Sequence, residues 1–222
     1  MEFLFIGLFI VANFVDQVAL FKHNDTLEYI SKPLIVPSLL GLYFIYSYKY
    51  FSGQVSSMII TALIFHTLGD IFLMIKNKNV FFILGIVSFF TGHIFYMNWF
   101  ARMASKDSLV FTIIISALFI LGSLYIFKLI LASKNPLGPL LFPYSFALIA
   151  FAVCIASTFS SQNIMATVLG IIGIALFSFS DSCIGLKALD IKDFSENSIM
   201  ITYSLGQFLL ITSALLLFST SF

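Results

Sequence analysis

The sequence predicts an all-α membrane protein, with eight transmembrane helices in one bundle. Two observations indicate this class: 60% of the 222 residues are hydrophobic, and only 9% are charged. Soluble domains carry far more charge on their surfaces than this chain can supply. In a bilayer, by contrast, a chain so poor in polar side chains can satisfy its backbone hydrogen bonds within helices.

Eight apolar segments have the length of about 20 residues that crosses a bilayer as a helix. In chain order they are residues 3–21, 30–48, 55–75, 80–100, 109–131, 139–159, 164–186 and 199–218. The first follows Met1 and Glu2 without the basic region and cleavage site of a signal peptide, so it is expected to remain as a helix. Short connections separate the segments and hold most of the charge. Residues 1–222 are therefore predicted to form a single transmembrane domain.

The distribution of lysine and arginine predicts the orientation of these segments. Eight of the 11 basic residues fall on the face opposite the N-terminus and three on the N-terminal face. Cytoplasmic loops carry the excess of positive charge. We therefore expect a multi-pass protein of the cell (inner) membrane with both termini outside the cytoplasm.

The charge and the cysteines limit the expected partners. With a formal net charge of +1, the chain offers no basic stripe for phosphates, so nucleic acid is not an expected partner. Cys154 and Cys183 lie in apolar runs without metal-ligand spacing, which favours small core residues. The lipid bilayer is the expected environment, no metal or other cofactor is expected, and the oligomeric state stays open.

Three short motifs recur in the same order in the two halves of the chain. The pairs are Lys32-Pro33 to Pro37 with Gly138-Pro139 to Pro143, Gly69-Asp70 with Ser180-Asp181, and Gly92-His93 with Gly206-Gln207. They predict a four-plus-four parallel repeat with halves 1–107 and 108–222, the first motif opening the second and sixth segments. The alternative is chance, because Gly and Pro-Leu are common in membrane helices.

Two aspartates within apolar segments are the strongest indication of a functional site. Asp70 and Asp181 each lie about 7 Å inside the same end of their segments at 1.5 Å per residue. An ionisable group at membrane depth costs several kcal/mol unless it is paired or faces a polar cavity. The two residues therefore predict a polar pocket that opens toward the cytoplasmic face.

Five ordered motifs extend over nearly the whole chain. They are Lys32-Pro33-Leu34 followed by Pro37, Gly69-Asp70, Gly92-His93-x-x-Tyr96, Ser180-Asp181 and Tyr203-x-x-x-Gln207. In this order they resemble the YhhN-like lysoplasmalogenase family. The resemblance implies a multi-span hydrolase that cleaves the vinyl ether bond of the lysophospholipids lysoplasmenylcholine and lysoplasmenylethanolamine. The products would be a fatty aldehyde and glycerophosphocholine or glycerophosphoethanolamine, and the family's two motif aspartates fall on Asp70 and Asp181.

The two carboxyl groups suit this chemistry. Cleavage requires a general acid that protonates the terminal vinyl carbon, and a carboxylate that faces the oxocarbenium ion and takes a proton from the attacking water. Asp70 and Asp181 are the catalytic candidates, and either could be the acid.

The remaining candidates have supporting roles. Lys32 is expected to bind the head-group phosphate, with a snorkelling membrane anchor as the alternative. Tyr203 and Gln207 are expected to orient water or a carboxylate, with interhelical hydrogen bonding as the alternative. His93 and Tyr96 are expected to support the site from behind.

Two other functions fit the same sequence. A proton-coupled transporter of a small molecule or lipid also has tandem repeats and carboxylates within the membrane. A zinc-dependent membrane hydrolase would use His66, Asp70, His93 and Asp181 as ligands. Apart from this zinc alternative, structural roles are expected for His66 and for Asp16.

Overall fold

The computed structural model describes residues 1–75 and 79–220. Within these ranges it contains eight α-helices, a single 3₁₀ turn at Lys106–Ser108 and no strand. The helices are α1 (Glu2–Phe21), α2 (Asp25–Tyr50), α3 (Ser57–Leu73), α4 (Asn79–Arg102), α5 (Leu109–Ala132), α6 (Gly138–Ala156), α7 (Ile164–Ala188) and α8 (Glu196–Thr220). The predicted all-helical class and the number of helices are confirmed for the described residues.

Seven of these helices are long and apolar enough to cross a membrane. The remaining one, α3, is apolar but has 17 residues. At 1.5 Å per residue it is about 26 Å long, slightly less than a hydrocarbon core of about 30 Å. The prediction of eight spans is thus confirmed for seven helices.

Helix α2 begins earlier than the sequence predicted. The Asn24 side chain caps it by accepting a hydrogen bond from the Leu27 backbone N–H at 3.1 Å. The carboxylates of Asp25 and Glu28 in the first turn interact favourably with the positive end of the helix dipole. As a result, Lys32 lies seven residues inside α2 rather than at its start. The prediction that Lys32-Pro33 opens this helix is therefore wrong.

The second proline motif does lie at a helix start. Helix α6 begins at Gly138 with Pro139 in its first turn. Proline is well tolerated there because the first backbone N–H groups of a helix have no partner within the helix. The two proline motifs thus occupy different positions in their helices.

The chain divides into two compact units, with a boundary inside α4. The described residues of the first are 1–75 and 79–96, and the second is Met97–Thr220. This boundary lies eleven residues before the predicted one at 107. The single transmembrane domain and the parallel repeat stay predictions.

In the first unit, α1 and α3 both run antiparallel to α2. Glu2, at the start of α1, forms an ion pair with Lys49 near the end of α2 at 3.1 Å. At its other end, α2 contacts the end of α3 through the Tyr29 hydroxyl, which donates to the Met74 carbonyl oxygen at 3.2 Å.

Glycines allow α3 and α4 to approach closely. A Cβ atom added at Gly69 would lie 2.6 Å from the Phe89 ring, and one at Gly85 would lie 2.6 Å from the Leu73 side chain. At Gly92 it would lie 2.3 Å from the His66 ring. Small residues at helix contacts are typical of membrane bundles, where association depends on van der Waals packing.

In the second unit, glycines allow the backbones of α7 and α8 to approach closely. A Cβ atom at Gly173 would lie 3.0 Å from the Gly206 carbonyl oxygen, and one at Gly206 would lie 2.9 Å from the Gly173 carbonyl oxygen. These neighbours are backbone atoms, which cannot rotate away. The α7–α8 contact therefore requires glycine at both positions.

We expect Gly206→Ala to destabilise the protein, because its methyl group would force the backbones of α7 and α8 apart. Overpacking typically costs about 1–3 kcal/mol, so the thermal unfolding midpoint in detergent should fall by about 5 °C. Gly122→Ala is the matched control, because nothing lies within 4 Å of a Cβ atom at Gly122. Equal midpoints for the two variants would contradict the tight α7–α8 contact.

Candidate functional site

Asp70 lies near the end of α3 in a buried position. Only 3% of the residue is exposed, and most of the other residues of α3 are apolar. The preceding Gly69 leaves space for the Phe89 ring from α4. His66 precedes Asp70 by one helical turn and shares its side of α3. The α3–α4 contact therefore encloses the backbone beside the first predicted catalytic aspartate.

Asp181 in α7 is half-buried and has a tyrosine partner. The hydroxyl group of Tyr144, a buried residue of α6, donates a hydrogen bond to its Oδ2 atom. The sequence analysis did not identify Tyr144. The signal that could have found it is its place directly after Pro143, in the motif that opens α6.

Asp181 and Tyr144 line a crevice between α5, α6 and α7. Its cavity volume is about 20 Å³, enough for one water molecule. The polar lining comes from Tyr144, Ser145, Asp181 and Ser182. The remaining lining residues are Ile126, Ile130, Leu141, Leu148, Gly185 and Leu186. Asp181 thus borders a small space that combines acceptor oxygens with hydrocarbon.

Ser180 holds α7 against α8 directly beside Asp181. Its hydroxyl group donates to the Ile199 carbonyl oxygen at 3.0 Å, and the residue is fully buried. The serine of the Ser180-Asp181 motif therefore joins two helices, whereas the aspartate contacts α6.

Tyr203 and Gln207 lie together in α8 and are both buried. The Gln207 amide donates to the Tyr203 hydroxyl group at 3.5 Å. The Tyr203 ring also packs on Phe177 of α7, with ring centroids 5.4 Å apart. The structure thus joins these two candidates to each other and to α7.

His93 and Tyr96 belong to a buried ring cluster between α3 and α4. The His66 ring centroid lies 5.0 Å from that of His93 and 5.3 Å from that of Tyr96. All three residues are fully buried. Only the zinc alternative had placed the two histidines together, and in the structure their rings meet edge to face.

Lys32 belongs to a charged cluster formed by α1 and α2. Its ammonium group lies 3.9 Å from the Glu28 carboxylate, one helical turn earlier. Both also interact electrostatically with Asp16 of α1, which is fully buried and accepts a hydrogen bond from Ser31 at 3.0 Å. This association was not predicted, although Glu28 and Lys32 are four residues apart, a spacing at which helix side chains contact each other.

The predicted site residues are divided between the two units. Four of them belong to the first unit: Lys32, Asp70, His93 and Tyr96. Three belong to the second unit: Asp181, Tyr203 and Gln207. Convergence of the two aspartates therefore stays a prediction.

The helix ends do not reproduce the equal depth predicted for the two aspartates. Asp70 lies three residues before the end of α3 at Leu73. Asp181 lies seven residues before the end of α7 at Ala188. The predicted segments had placed each aspartate five residues from its end. Because α3 ends earlier and α7 ends later than predicted, the helix ends do not support an equal depth for Asp70 and Asp181.

The alternative of a zinc site gains no support from the side-chain positions. Among the residues described by the structure, no group of three or more His, Cys, Asp or Glu side chains is arranged to hold a metal ion.

Comparisons with known proteins identify the family. No curated protein and no solved structure shows significant similarity to the chain. The YhhN family model, however, matches residues 27–214, a range that contains all seven predicted site residues. Since this match covers most of the sequence, the chain belongs to the YhhN family.

Proposed function

We propose that the protein is a membrane-embedded hydrolase that cleaves the vinyl ether bond of lysoplasmalogens. The observation that carries this proposal is membership of the YhhN family, together with motif aspartates in apolar helices. The substrates would be lysoplasmenylcholine or lysoplasmenylethanolamine. The products would be a fatty aldehyde and the corresponding glycerophosphodiester.

The reaction requires two carboxyl groups with different roles. One protonates C2, the vinyl carbon farther from the ether oxygen, and the other faces the resulting oxocarbenium ion and takes a proton from water. Glycosidases separate such roles by giving their two carboxyl groups different environments. Here Asp70 is almost completely enclosed, whereas Asp181 is half-buried and accepts a hydrogen bond from Tyr144. This difference supports a division of labour between them.

Lys32 is proposed to bind the phosphate of the head group. Its side chain is 12% exposed, and its ammonium group is a compact positive charge suited to a phosphate oxygen. Glu28 and the buried Asp16 lie close enough to hold that charge in place. Lys32 therefore has a defined environment that a freely snorkelling lysine would lack.

A proton-coupled transporter is the alternative function. The observation that favours it is the charged cluster of Asp16, Glu28 and Lys32 within apolar helices, because such groups mark proton pathways. A transporter would leave the lipid intact and exchange labelled substrate across a vesicle membrane. A hydrolase would release aldehyde from purified protein in detergent.

The direct test uses purified protein, lysoplasmenylethanolamine and a measurement of fatty aldehyde release. Asp70→Asn and Asp181→Asn should each reduce turnover at least 100-fold, because an amide cannot replace a carboxyl group in proton transfer. Asp190→Asn is the matched control, since Asp190 is an exposed loop residue. Near-normal turnover in either site variant, with the protein still folded, would overturn the two-carboxylate mechanism.

Lys32→Met should raise KM for the lysolipid about tenfold or more if the lysine binds phosphate, because a charge-assisted hydrogen bond contributes about 1.5–3 kcal/mol. Glu28→Gln is the control, since it removes the ion-pair partner but keeps the cation. Steady-state kinetics and unfolding midpoints should be measured for both. If the two variants lose stability equally and keep the normal KM, then Lys32 has a structural role only.

The proposed mechanism also requires that the carboxyl groups of Asp70 and Asp181 lie within about 10 Å, the range seen for paired catalytic carboxyls. Asp70→Cys with Asp181→Cys, in a protein carrying Cys154→Ala and Cys183→Ala, should be bridged by a short bifunctional thiol reagent. Intact mass spectrometry distinguishes a bridge from two separate labels.

Phe3→Cys with Asp70→Cys is the matched control pair for this cross-link. Within the first unit, Phe3 lies beside the Lys49 end of α2 and Asp70 near its opposite end. This pair should take two labels and no bridge. Failure of the Asp70–Asp181 pair to cross-link would contradict a shared site.

A further inference from the structure

We propose that Tyr144 is a positioning residue that orients Asp181 toward the crevice between α5, α6 and α7. Asp181 is then the carboxylate that activates water, and Asp70 is the general acid. This inference rests on the proposed function and deepens it, because it assigns the two catalytic roles.

Asp181 and its neighbour Ser180 are anchored on two sides of α7. Ser180 donates to a backbone oxygen of α8, and Asp181 accepts from Tyr144 of α6. Consecutive residues of a helix point in different directions, so α7 is fixed to both neighbours at this level. A buried tyrosine ring has few accessible rotamers, and its hydroxyl group therefore gives the carboxylate a fixed orientation.

Asp181 also borders a space of the size of a water molecule. The cavity volume of about 20 Å³ accommodates one water molecule, provided that polar partners surround it. Asp181, Ser145 and Ser182 supply such partners. The two serine hydroxyl groups donate to backbone oxygens of their own helices, so either oxygen atom is suited to accept one hydrogen bond from a water that donates the other to Asp181. The crevice is thus a site for the attacking water, with Asp181 as the group that takes its proton.

The two halves of the predicted repeat differ at the position of Tyr144. Tyr144 directly follows Pro143, and the corresponding residue after Pro37 is Ser38. The Ser38 hydroxyl group donates to the Ile35 carbonyl oxygen of its own helix. The serine side chain is also much shorter than that of tyrosine. In the predicted repeat, the halves therefore differ at the position that orients Asp181, which agrees with different roles for the two aspartates.

The proposed steps balance. Asp70 donates its proton to the vinyl carbon C2, and the C1–O unit becomes an oxocarbenium ion. The water oxygen bonds to C1 while one water proton passes to Asp181, which gives a hemiacetal. The bond from C1 to the glycerol oxygen then breaks. Asp181 returns its proton to that oxygen, and the hemiacetal hydroxyl proton passes to Asp70. Aldehyde and alcohol leave, and both aspartates regain their initial states.

Azide tests the assignment, because it is a nucleophile that needs no general base. In the Asp181→Asn variant, azide should restore lysoplasmalogen consumption at least tenfold and form the 1-azidoalkyl ether, detected by mass spectrometry. In the Asp70→Asn variant, azide should restore nothing, because protonation of C2 is lost. Rescue of Asp70→Asn instead of Asp181→Asn, or of neither, overturns the assignment. Absence of aldehyde release by the unaltered protein would reject the proposed function itself.

Tyr144→Phe tests the positioning role separately. We expect kcat to fall about tenfold or more with KM unchanged, because a hydrogen bond to a charged group contributes about this factor. In the Asp181→Asn background the same change should have no further effect on kcat. Tyr125→Phe is the matched control, since Tyr125 is an exposed residue of α5. Equal kcat loss in both backgrounds, or a lowered unfolding midpoint with normal kcat, would show a structural role only.

Discussion

Close contact between helix backbones is the constraint on which the other features depend. In a bilayer, apolar surface gives little drive for helices to associate, so packing must supply it. Glycines at Gly69, Gly85 and Gly92 admit side chains across the α3–α4 contact, and Gly173 and Gly206 allow the backbones of α7 and α8 to meet. Each of these contacts carries a residue of the predicted site. Packing and function therefore impose their requirements on the same short segments.

Each of three glycines at helix contacts is followed directly by a buried polar residue. Asp70 follows Gly69, His93 follows Gly92, and Gln207 follows Gly206. All three polar residues are buried. A buried polar group requires hydrogen-bonding partners, because its desolvation otherwise costs free energy. Neighbouring helices supply some of these partners: Ser31 donates to Asp16, and Tyr144 donates to Asp181.

The two aspartates illustrate how environment can separate the roles of identical side chains. Asp70 is enclosed beside the α3–α4 contact, whereas Asp181 faces a crevice with a tyrosine donor. The proposed hydrolysis of a vinyl ether uses such a separation, since one group gives a proton while the other takes one. The charged cluster around Lys32 adds a fixed cation in the first unit. These three features together give the proposed hydrolase its parts.

The sequence alone was sufficient for the helical class, for the number of helices and for the family motifs. The reason is physical: apolar runs long enough to cross a bilayer must form helices, because no other local structure satisfies their backbone groups. Helix ends were less accessible to prediction. The start of α2 depends on the Asn24 cap rather than on hydrophobicity, so Lys32 lies two turns inside a helix that it was expected to open.

Tertiary structure decided which polar side chains meet. Neither Tyr144 nor the charged partners Glu28 and Asp16 were identified as site residues from the sequence, although the Glu28–Lys32 spacing carried a local signal. The pairing of Tyr144 with Asp181 and of His66 with His93 joins residues from different helices. Such contacts depend on the rotation and spacing of packed helices, which hydrophobicity leaves nearly undetermined in chains that are apolar on every side. The sequence by itself determined that two aspartates lie in apolar helices, and only the packing of α6 against α7 gave one of them a tyrosine.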